Sequence, residues 1–388
     1  MKRIKLILLI LLSVHVVPVE ALCCTTAIFS GKVTADGRPI IWKNRDTGFL
    51  DNRVEYVPAS DSVKYSFIYL SNSADTPEAW SGVNSAGFSI MNSVSYNIRK
   101  EADTTPESKM DREGILMYRA LACCETIQDF EKMLDSLEKP MGLETNFGVI
   151  DACGGAAYYE VNNYTWIKYD VNEAPQGYLI RSNYSFSGRD GQGKGYVRYD
   201  NASINITGYI AQGGRITPCW VMDNLSRSFY QSHYGYNPLK EGYNAFIDKD
   251  FIPRHSTSAV TIVQGVKPGE DKSLAVMWCA LGYPPVSQII PLMVSSGDYI
   301  PADMKSAAKD SRSAACTRAG ERRSEIFFKN PDGETYVDLI DVRRYLTQIK
   351  PLEDKIFDRF NQMHDYWREK GTVDTRQLKE FYEAVEIR

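Results

Sequence analysis

Short apolar runs, separated by polar and turn-forming residues, dominate the chain from residue 24 to residue 294. Two of these runs, 25–30 and 39–43, flank the turn pair Asp36-Gly37 and predict a β-hairpin. Further runs typical of strands follow in chain order: 65–70, 87–92, 147–150, 156–161, 178–181, 259–263, 274–281 and 287–294. The pattern predicts a strand-rich main domain.

Helical periodicity interrupts these strands in two places. Residues 112–124 and 126–138 have the spacing of apolar positions that predicts amphipathic helices. Thr126 followed by Asp129 is typical of a helix N-terminus, and Pro140 predicts where the second helix stops. Many antiparallel strands with inserted helices predict an α+β fold of packed layers rather than a βαβ alternation.

The pattern changes after about residue 300. Residues 305–323 are rich in Ala, Ser and charged residues and predict a surface linker or lid. Three later segments share helical periodicity and heavy charge: 336–348, 352–370 and 374–386. We therefore expect one domain over 24–300, followed by a linker and a helical extension packed on it over 301–388. A separate partner-binding module is the alternative interpretation of the extension.

Composition narrows the classes of function. The chain has 388 residues, of which 43% are hydrophobic and 12% aromatic, and this composition excludes a disordered or collagen-like protein. A net charge of −4 provides no basic excess for nucleic acid or anionic lipid, and it favours a small or neutral ligand. The four His residues are scattered and no CxxC is present, so no metal site is predicted.

The N-terminus is typical of a secretory signal over residues 1–23, with a basic start and the apolar run 6–12. That run is too short for a transmembrane span, so we expect a secreted or periplasmic protein without stable membrane insertion. Cleavage after Ala21 or after Cys23 fits the small-residue pattern, and the second cut makes Cys24 the N-terminus. Lipid attachment at Cys23 is the less favoured alternative, because a leucine precedes it.

Cysteine usage points to one reactive thiol. Seven cysteines remain in a chain that begins at Cys24, and an odd number in an exported protein indicates a free thiol. Cys123, Cys124 and Cys279 lie in apolar stretches and are predicted to be buried. An N-terminal Cys24 would carry both a thiol nucleophile and an α-amine with a pKa near ~8 that can act as general base. A lipid site or a structural pair with Cys23 is the alternative.

The residues after Cys24 resemble the start of the N-terminal-nucleophile amidohydrolases. The shared features are the C-T-T opening at 24–26, the D-G hairpin at 36–37 and the K-N-R-D strand end at 43–46. This opening is similar to that of choloylglycine hydrolases and penicillin V acylases, of acyl-coenzyme A:6-aminopenicillanic acid acyltransferases and of exported dipeptidases. The resemblance implies a four-layer αββα sandwich in which Asp46 orients the Cys24 amine.

Later segments continue the resemblance over roughly residues 24–295, in the order 82–88, 90–93, 181–186, 195–199 and 281–292. It implies that Asn183 donates to an oxyanion and that Asn92 belongs to the site. Arg198 is expected to support Asp46 or to bind an acidic end of the substrate. We also expect Lys43 and Arg45 to bind substrate. Lys43 stands where the bile-salt and penicillin V enzymes have an arginine, so it keeps the charge without the planar fork.

The resemblance implies an exported hydrolase or acyltransferase that cleaves a linear amide through a thioester on Cys24, without a cofactor or metal. The expected partner is a small-molecule amide, and a homo-oligomer is compatible with the pattern. An exported dipeptidase is the alternative enzyme. A non-catalytic ligand-binding surface protein on the same fold is the alternative from another class. The identity of the amide, and the choice between hydrolysis and acyl transfer, stay open.

Overall fold

The computed structural model describes residues 24–72, 77–306 and 312–388, so the predicted signal peptide and its cleavage site lie outside the described residues. The strands are β1 (Thr25–Phe29), β2 (Ile40–Asp46), β3 (Asn52–Val57), β4 (Phe67–Asn72), β5 (Ser81–Asn84), β6 (Ser89–Val94), β7 (Thr145–Ile150), β8 (Ala156–Val161), β9 (Trp166–Asp170), β10 (Tyr178–Arg181), β11 (Ala245–Ile247), β12 (Thr257–Gln264), β13 (Val276–Leu281), β14 (Ile290–Leu292), β15 (Phe327–Lys329) and β16 (Thr335–Asp338). The helices are α1 (Glu113–Cys123), α2 (Ile127–Ser136), α3 (Tyr196–Ala211), α4 (Pro218–Val221), α5 (Ala314–Ile326), α6 (Leu339–Lys370) and α7 (Thr375–Ala384).

Two antiparallel sheets form the centre of the molecule. One has six strands in the order β10-β1-β2-β12-β13-β14, and the other is a seven-stranded meander from β3 to β9. The sheets contact each other directly, since the Tyr158 hydroxyl on β8 donates to Thr26 Oγ1 on β1 at 2.9 Å. Gly148 on β7 permits this close approach, because a Cβ there would lie 3.2 Å from Ile28 Cδ1 on β1 of the other sheet. A smaller sheet, β11-β16-β15, is hydrogen-bonded to neither of them.

Helices cover the outer face of each large sheet. On the seven-stranded sheet, Phe130 of α2 packs edge-on against Phe147 and Tyr159. On the six-stranded sheet, Trp278 of β13 stacks on Phe357 of α6 with ring centroids 4.3 Å apart. The order of layers is therefore helix, sheet, sheet, helix, and the predicted α+β sandwich with C-terminal helices is confirmed. None of the helices in the described ranges has the length and apolar character that crossing a membrane requires.

Several local predictions are confirmed by the backbone. The 25–30 and 39–43 runs pair as an antiparallel hairpin, with Thr25 opposite Asn44. Thr126 caps α2, because its side chain accepts from the Asp129 amide while the Asp129 carboxylate accepts from the Thr126 amide. The α2 helix ends before Pro140, as expected.

Three local predictions are wrong. The predicted helical segments 336–348 and 352–370 are not separate, because α6 runs continuously from Leu339 to Lys370 through Pro351, and residues 336–338 belong to strand β16. Residues from Ala314 onward are not surface linker, because they form α5 and bury Cys316 and Ala319. Cys123 is exposed at the end of α1, although Cys124 and Cys279 are buried as predicted.

Candidate active site

The β1–β2 hairpin brings Cys24 to the end of β2. Cys24 directly precedes β1 and is only 6% exposed, and its Sγ lies 4.0 Å from the backbone oxygen of Asp46. Cys24 and Asp46, which lie at opposite ends of the hairpin sequence, thus meet at one end of the paired strands β1 and β2. The predicted nucleophile and the predicted carboxylate belong to one site.

A cleft of about 190 Å³ opens at this end of the two strands. Its lining consists of Cys24, Lys43, Arg45, Asp46, Thr47, Phe49, Asn72, Glu78, Trp80, Asn92, Val94 and Asp111. Five of the seven site residues predicted from the sequence are therefore in its wall. The other two, Asn183 and Arg198, lie behind Cys24.

The carboxylate of Asp46 is fully buried and held by three side chains. Its Oδ2 accepts from Arg254 Nε at 2.9 Å, and its Oδ1 accepts from the Thr257 hydroxyl at 2.6 Å and from Asn44 at 3.3 Å. Thr257 stands opposite Asp46 in the β2–β12 ladder, which explains the short contact. Sequence reasoning missed Arg254, because it lies 208 residues from Asp46 in a loop without a local signal.

Lys43 is a buried cation in the wall of the cleft. Its Nζ donates to the Trp80 carbonyl at 2.8 Å and to Asn92 Oδ1 at 2.7 Å, so Asn92 positions the ammonium. Burial lowers the pKa of Lys43 to about 8, and Arg45 adds to this lowering while Cys24 and Asp46 oppose it. An amine with a pKa of this kind exchanges protons close to neutral pH.

Arg45 lies on the same side of β2 as Lys43, two residues further along. Its Nη1 donates to Asn52 Oδ1 at 3.0 Å and to the Ser258 hydroxyl at 3.1 Å. The guanidinium lies 4.8 Å from the centroid of the Trp80 ring. Burial lowers the pKa of Arg45 to about 10, so the group stays charged at neutral pH.

Arg198 and Asn183 support Cys24 from behind. Arg198 Nη1 donates to the Cys24 carbonyl and to the Thr25 hydroxyl, and Nη2 donates to Asn183 Oδ1, each at 2.8 Å. Asn183 in turn donates to the Val94 carbonyl at 2.9 Å. A glycine is needed at 195, where φ is 78° and a Cβ would lie 2.2 Å from Arg198 Nη2. The 195–199 motif thus presents Arg198 to Cys24 rather than to Asp46.

Acidic and aromatic side chains that the sequence did not reveal line the same cleft. Glu78 is half-buried and Asp111 is exposed. Burial raises the pKa of Glu78, Asp111 adds to the rise, and Arg45 opposes it. Phe49 is 70% exposed and Trp80 is half-buried. The buried part of the cleft is therefore basic, and its solvent-exposed opening is acidic.

The G-x-N-x-x-G motif at 82–87 has a structural role. Asn84 Oδ1 accepts from the amides of Ala86 and Phe88 at 3.0 Å, which closes the turn before β6. Its Nδ2 donates to the carbonyls of Leu121 and Cys124, which ties the turn to the end of α1. The motif fixes β5 and β6 and thereby the place of Asn92.

No protein-family model and no curated protein matches this chain. Among solved structures, conjugated bile acid hydrolase from Clostridium perfringens is similar over 70% of this chain and 93% of its own, with 12% identity and a TM-score of 0.44. Penicillin V acylase from Agrobacterium tumefaciens is similar over 70% and 86%, with 10% identity and a TM-score of 0.42. The Caenorhabditis elegans ortholog of N-acylethanolamine-hydrolyzing acid amidase is similar over 62% and 92%, with 14% identity and a TM-score of 0.41.

Proposed function

We propose that this chain is an exported N-terminal-nucleophile amidohydrolase whose Cys24 becomes the N-terminus when residues 1–23 are removed. One observation carries the proposal: Cys24 lies at the start of β1 in the wall of a cleft, beside Lys43 and Arg45. A cysteine in the wall of a cleft, close to two buried cations, has the surroundings of a reactive thiol. The substrate is a linear amide.

In the first step, Cys24 Sγ attacks the carbonyl carbon of the amide. The thiol proton moves to the α-amine of Cys24 and then to the leaving nitrogen. The S–C bond forms and the C–N bond breaks, so an amine leaves and a thioester remains. Asn183 donates to the oxyanion, and Arg198 holds both Asn183 and the Cys24 carbonyl in place.

In the second step, water or an amine adds to the thioester. The α-amine of Cys24 accepts the proton of the attacking group and returns it to the sulfur as the C–S bond breaks. Water gives a hydrolase, and an acceptor amine gives an acyltransferase. Asp46, fixed by Arg254 and Thr257, gives the N-terminus a negative neighbour that orients it.

The test is a panel of linear amides that contains N-acyl amino acids, acyl amines and dipeptides, assayed with the processed protein. Cys24→Ala should abolish turnover and leave the melting temperature unchanged within a few degrees, because the side chain loses only a sulfur atom. Cys24→Ser is the conservative control and should retain at most a trace of activity. Turnover by Cys24→Ala comparable to that of the wild type would refute the role of Cys24, and turnover of dipeptides alone would favour the dipeptidase alternative.

Processing provides a separate test, because an amide nitrogen cannot serve as the base. A chain shown by mass spectrometry to retain Leu22-Cys23 should be inactive, whereas a chain that begins at Cys24 should be active. The mass of the protein recovered from the periplasm or the medium of the expressing cells tests the proposed export in the same measurement. Full activity with Leu22-Cys23 still attached would require another proton acceptor.

A further inference from the structure

Two buried cations share the floor of the cleft. Lys43 and Arg45 lie on one side of β2 and are 1% and 3% exposed. Their hydrogen-bond acceptors are all neutral: the Trp80 carbonyl, the Asn92 and Asn52 amides and the Ser258 hydroxyl. In the described part of the chain, no carboxylate oxygen lies within ion-pair distance of either cation. A buried charge without a counter-charge costs several kcal/mol, so this arrangement needs an explanation.

The nearby acidic groups do not supply the counter-charge. Asp46 forms its ion pair with Arg254, at 2.9 Å. Glu78 affects the pKa of Arg45 but lies beyond ion-pair distance, and Asp111 is exposed. The thiolate of Cys24 can balance one positive charge and leaves the other. The ammonium form of a free Cys24 N-terminus would add a third.

Both cations also have donors to spare. Lys43 has three N–H groups, of which two are used. Arg45 uses only Nη1 within the described ranges, which leaves Nε and Nη2 without an acceptor there. A carboxylate takes two N–H donors from a guanidinium or accepts from an ammonium beside it. The missing negative charge and the unused donors thus call for the same kind of ligand.

The size of the cleft places this ligand group close to the reacting carbonyl. A cavity of about 150 Å³ is enough for a benzene molecule, and the cleft of about 190 Å³ contains both Cys24 and the two cations. A group bound by the cations is therefore within a few bonds of a carbonyl at Cys24 Sγ.

We propose that Lys43 and Arg45 form a carboxylate subsite, so that the preferred substrates are small amides with a carboxylate a few bonds from the scissile carbonyl. This inference rests on the proposed amidohydrolase function and narrows its substrate class. The carboxylate belongs to the amine half in an N-acyl amino acid and to the acyl half in a monoamide of a dicarboxylic acid. Both place the same negative charge near Cys24.

Binding is measured first, with processed Cys24→Ala protein so that no turnover occurs. The ligands are N-acetylglycine and succinamic acid, each compared with its methyl ester by calorimetry. We expect at least one acid to bind about tenfold or more tightly than its ester, since a charge-assisted hydrogen bond contributes about that much. Arg45→Gln should remove this preference and Arg45→Lys should restore part of it. Glu78→Gln is the matched control and should strengthen binding of the acid, because it removes a negative charge.

Kinetics of the protein with Cys24 intact separate the two proposals. Higher kcat/KM for anilides that carry the carboxylate than for their esters supports the subsite. Turnover of the esters as fast as the acids would overturn the subsite while the amidohydrolase function stands. Acid binding without turnover of any amide would refute the function and support the subsite. Acids and esters that bind alike would overturn the subsite, and this comparison in unaltered Arg45 protein holds even if Arg45→Gln fails to fold.

Discussion

Buried cations occur in two contrasting settings in this molecule. Arg227, beneath the C-terminal helix α6, directs both terminal nitrogens at the Glu353 carboxylate, at 2.7 Å each, and donates to the carbonyls of Pro284 and Ser287. Lys43 and Arg45, at the cleft, have only neutral partners. Arg227 thus has a carboxylate as counter-charge, whereas the described hydrogen-bond partners of Lys43 and Arg45 supply none.

The pKa shifts report the same difference. Burial alone lowers the pKa of a guanidinium, but Glu353 and, to a smaller extent, Asp223 together outweigh this effect and raise the pKa of Arg227. At Lys43 burial prevails and lowers the pKa to about 8. A satisfied charge fastens the C-terminal helix to the sheet layers, whereas an unsatisfied charge remains available to a ligand. The contrast is the one expected between a charge that stabilises the fold and a charge that belongs to the proposed subsite.

The largest expected effect comes from breaking the complete pair. Glu353→Gln removes the buried carboxylate that both terminal nitrogens of Arg227 contact and leaves the partly exposed Asp223, 3.2 Å from Nη1, as the remaining counter-charge. It should lower the free energy of unfolding by up to about 3–5 kcal/mol in denaturant titrations. Replacing both residues, as Arg227→Met with Glu353→Leu, should recover most of the loss. The exposed pair Arg376–Glu380 is the control, and Glu380→Gln should cost no more than about 0.5 kcal/mol. A loss below about 1 kcal/mol for Glu353→Gln would show that the C-terminal helix does not depend on this pair.

A second prediction concerns Asn183, which is buried but retains one amide N–H without an acceptor in the described ranges. As an oxyanion donor, it should contribute to kcat: Asn183→Ala should lower kcat by about 10²–10³ and change KM little. A purely structural Asn183 would give the opposite pattern, with a lower melting temperature and an unchanged kcat per folded molecule. The two readouts are obtained from the same preparation.

The features that could be predicted from the sequence are those that depend on residues close together in the chain. The turn pair Asp36-Gly37 predicted the hairpin that brings Cys24 to Asp46, and the Thr126–Asp129 spacing predicted the cap of α2. Strand periodicity predicted β8 and β10 with their observed bounds. Each of these features depends on a few neighbouring residues.

The features that could not be predicted depend on packing and on contacts between residues far apart in the chain. Pro351 costs a helix interior about 3 kcal/mol, which predicts a break, but buried Ile349, Glu353 and Phe357 on the same helix offset that cost through packing. The Asp46–Arg254 pair joins residues far apart in the chain, and the missing counter-charge of Arg45 is a property of everything around it. Neither of these two features can be predicted from a short segment of the sequence.

The smallest effect is a pH dependence of stability that only an unpaired buried lysine should produce. The pKa of Lys43 is about 8 in the folded protein and about 10.4 in an unfolded chain. Between these values the unfolded state binds more protons, so the penalty for burying the ammonium is full below pH 8 and is relieved as the pH rises towards 10. Relative to Lys43→Met, the protein that retains Lys43 should therefore gain about 1 kcal/mol between pH 8 and pH 9.

Both proteins carry Cys24→Ala, so that the titration of the thiol does not contribute. Replacing the exposed Lys355 by Met is the matched control for a lysine-to-methionine change outside the cleft. If the difference in stability caused by Lys43→Met does not change with pH, the cleft already holds its counter-charge, and the contrast with Arg227 disappears.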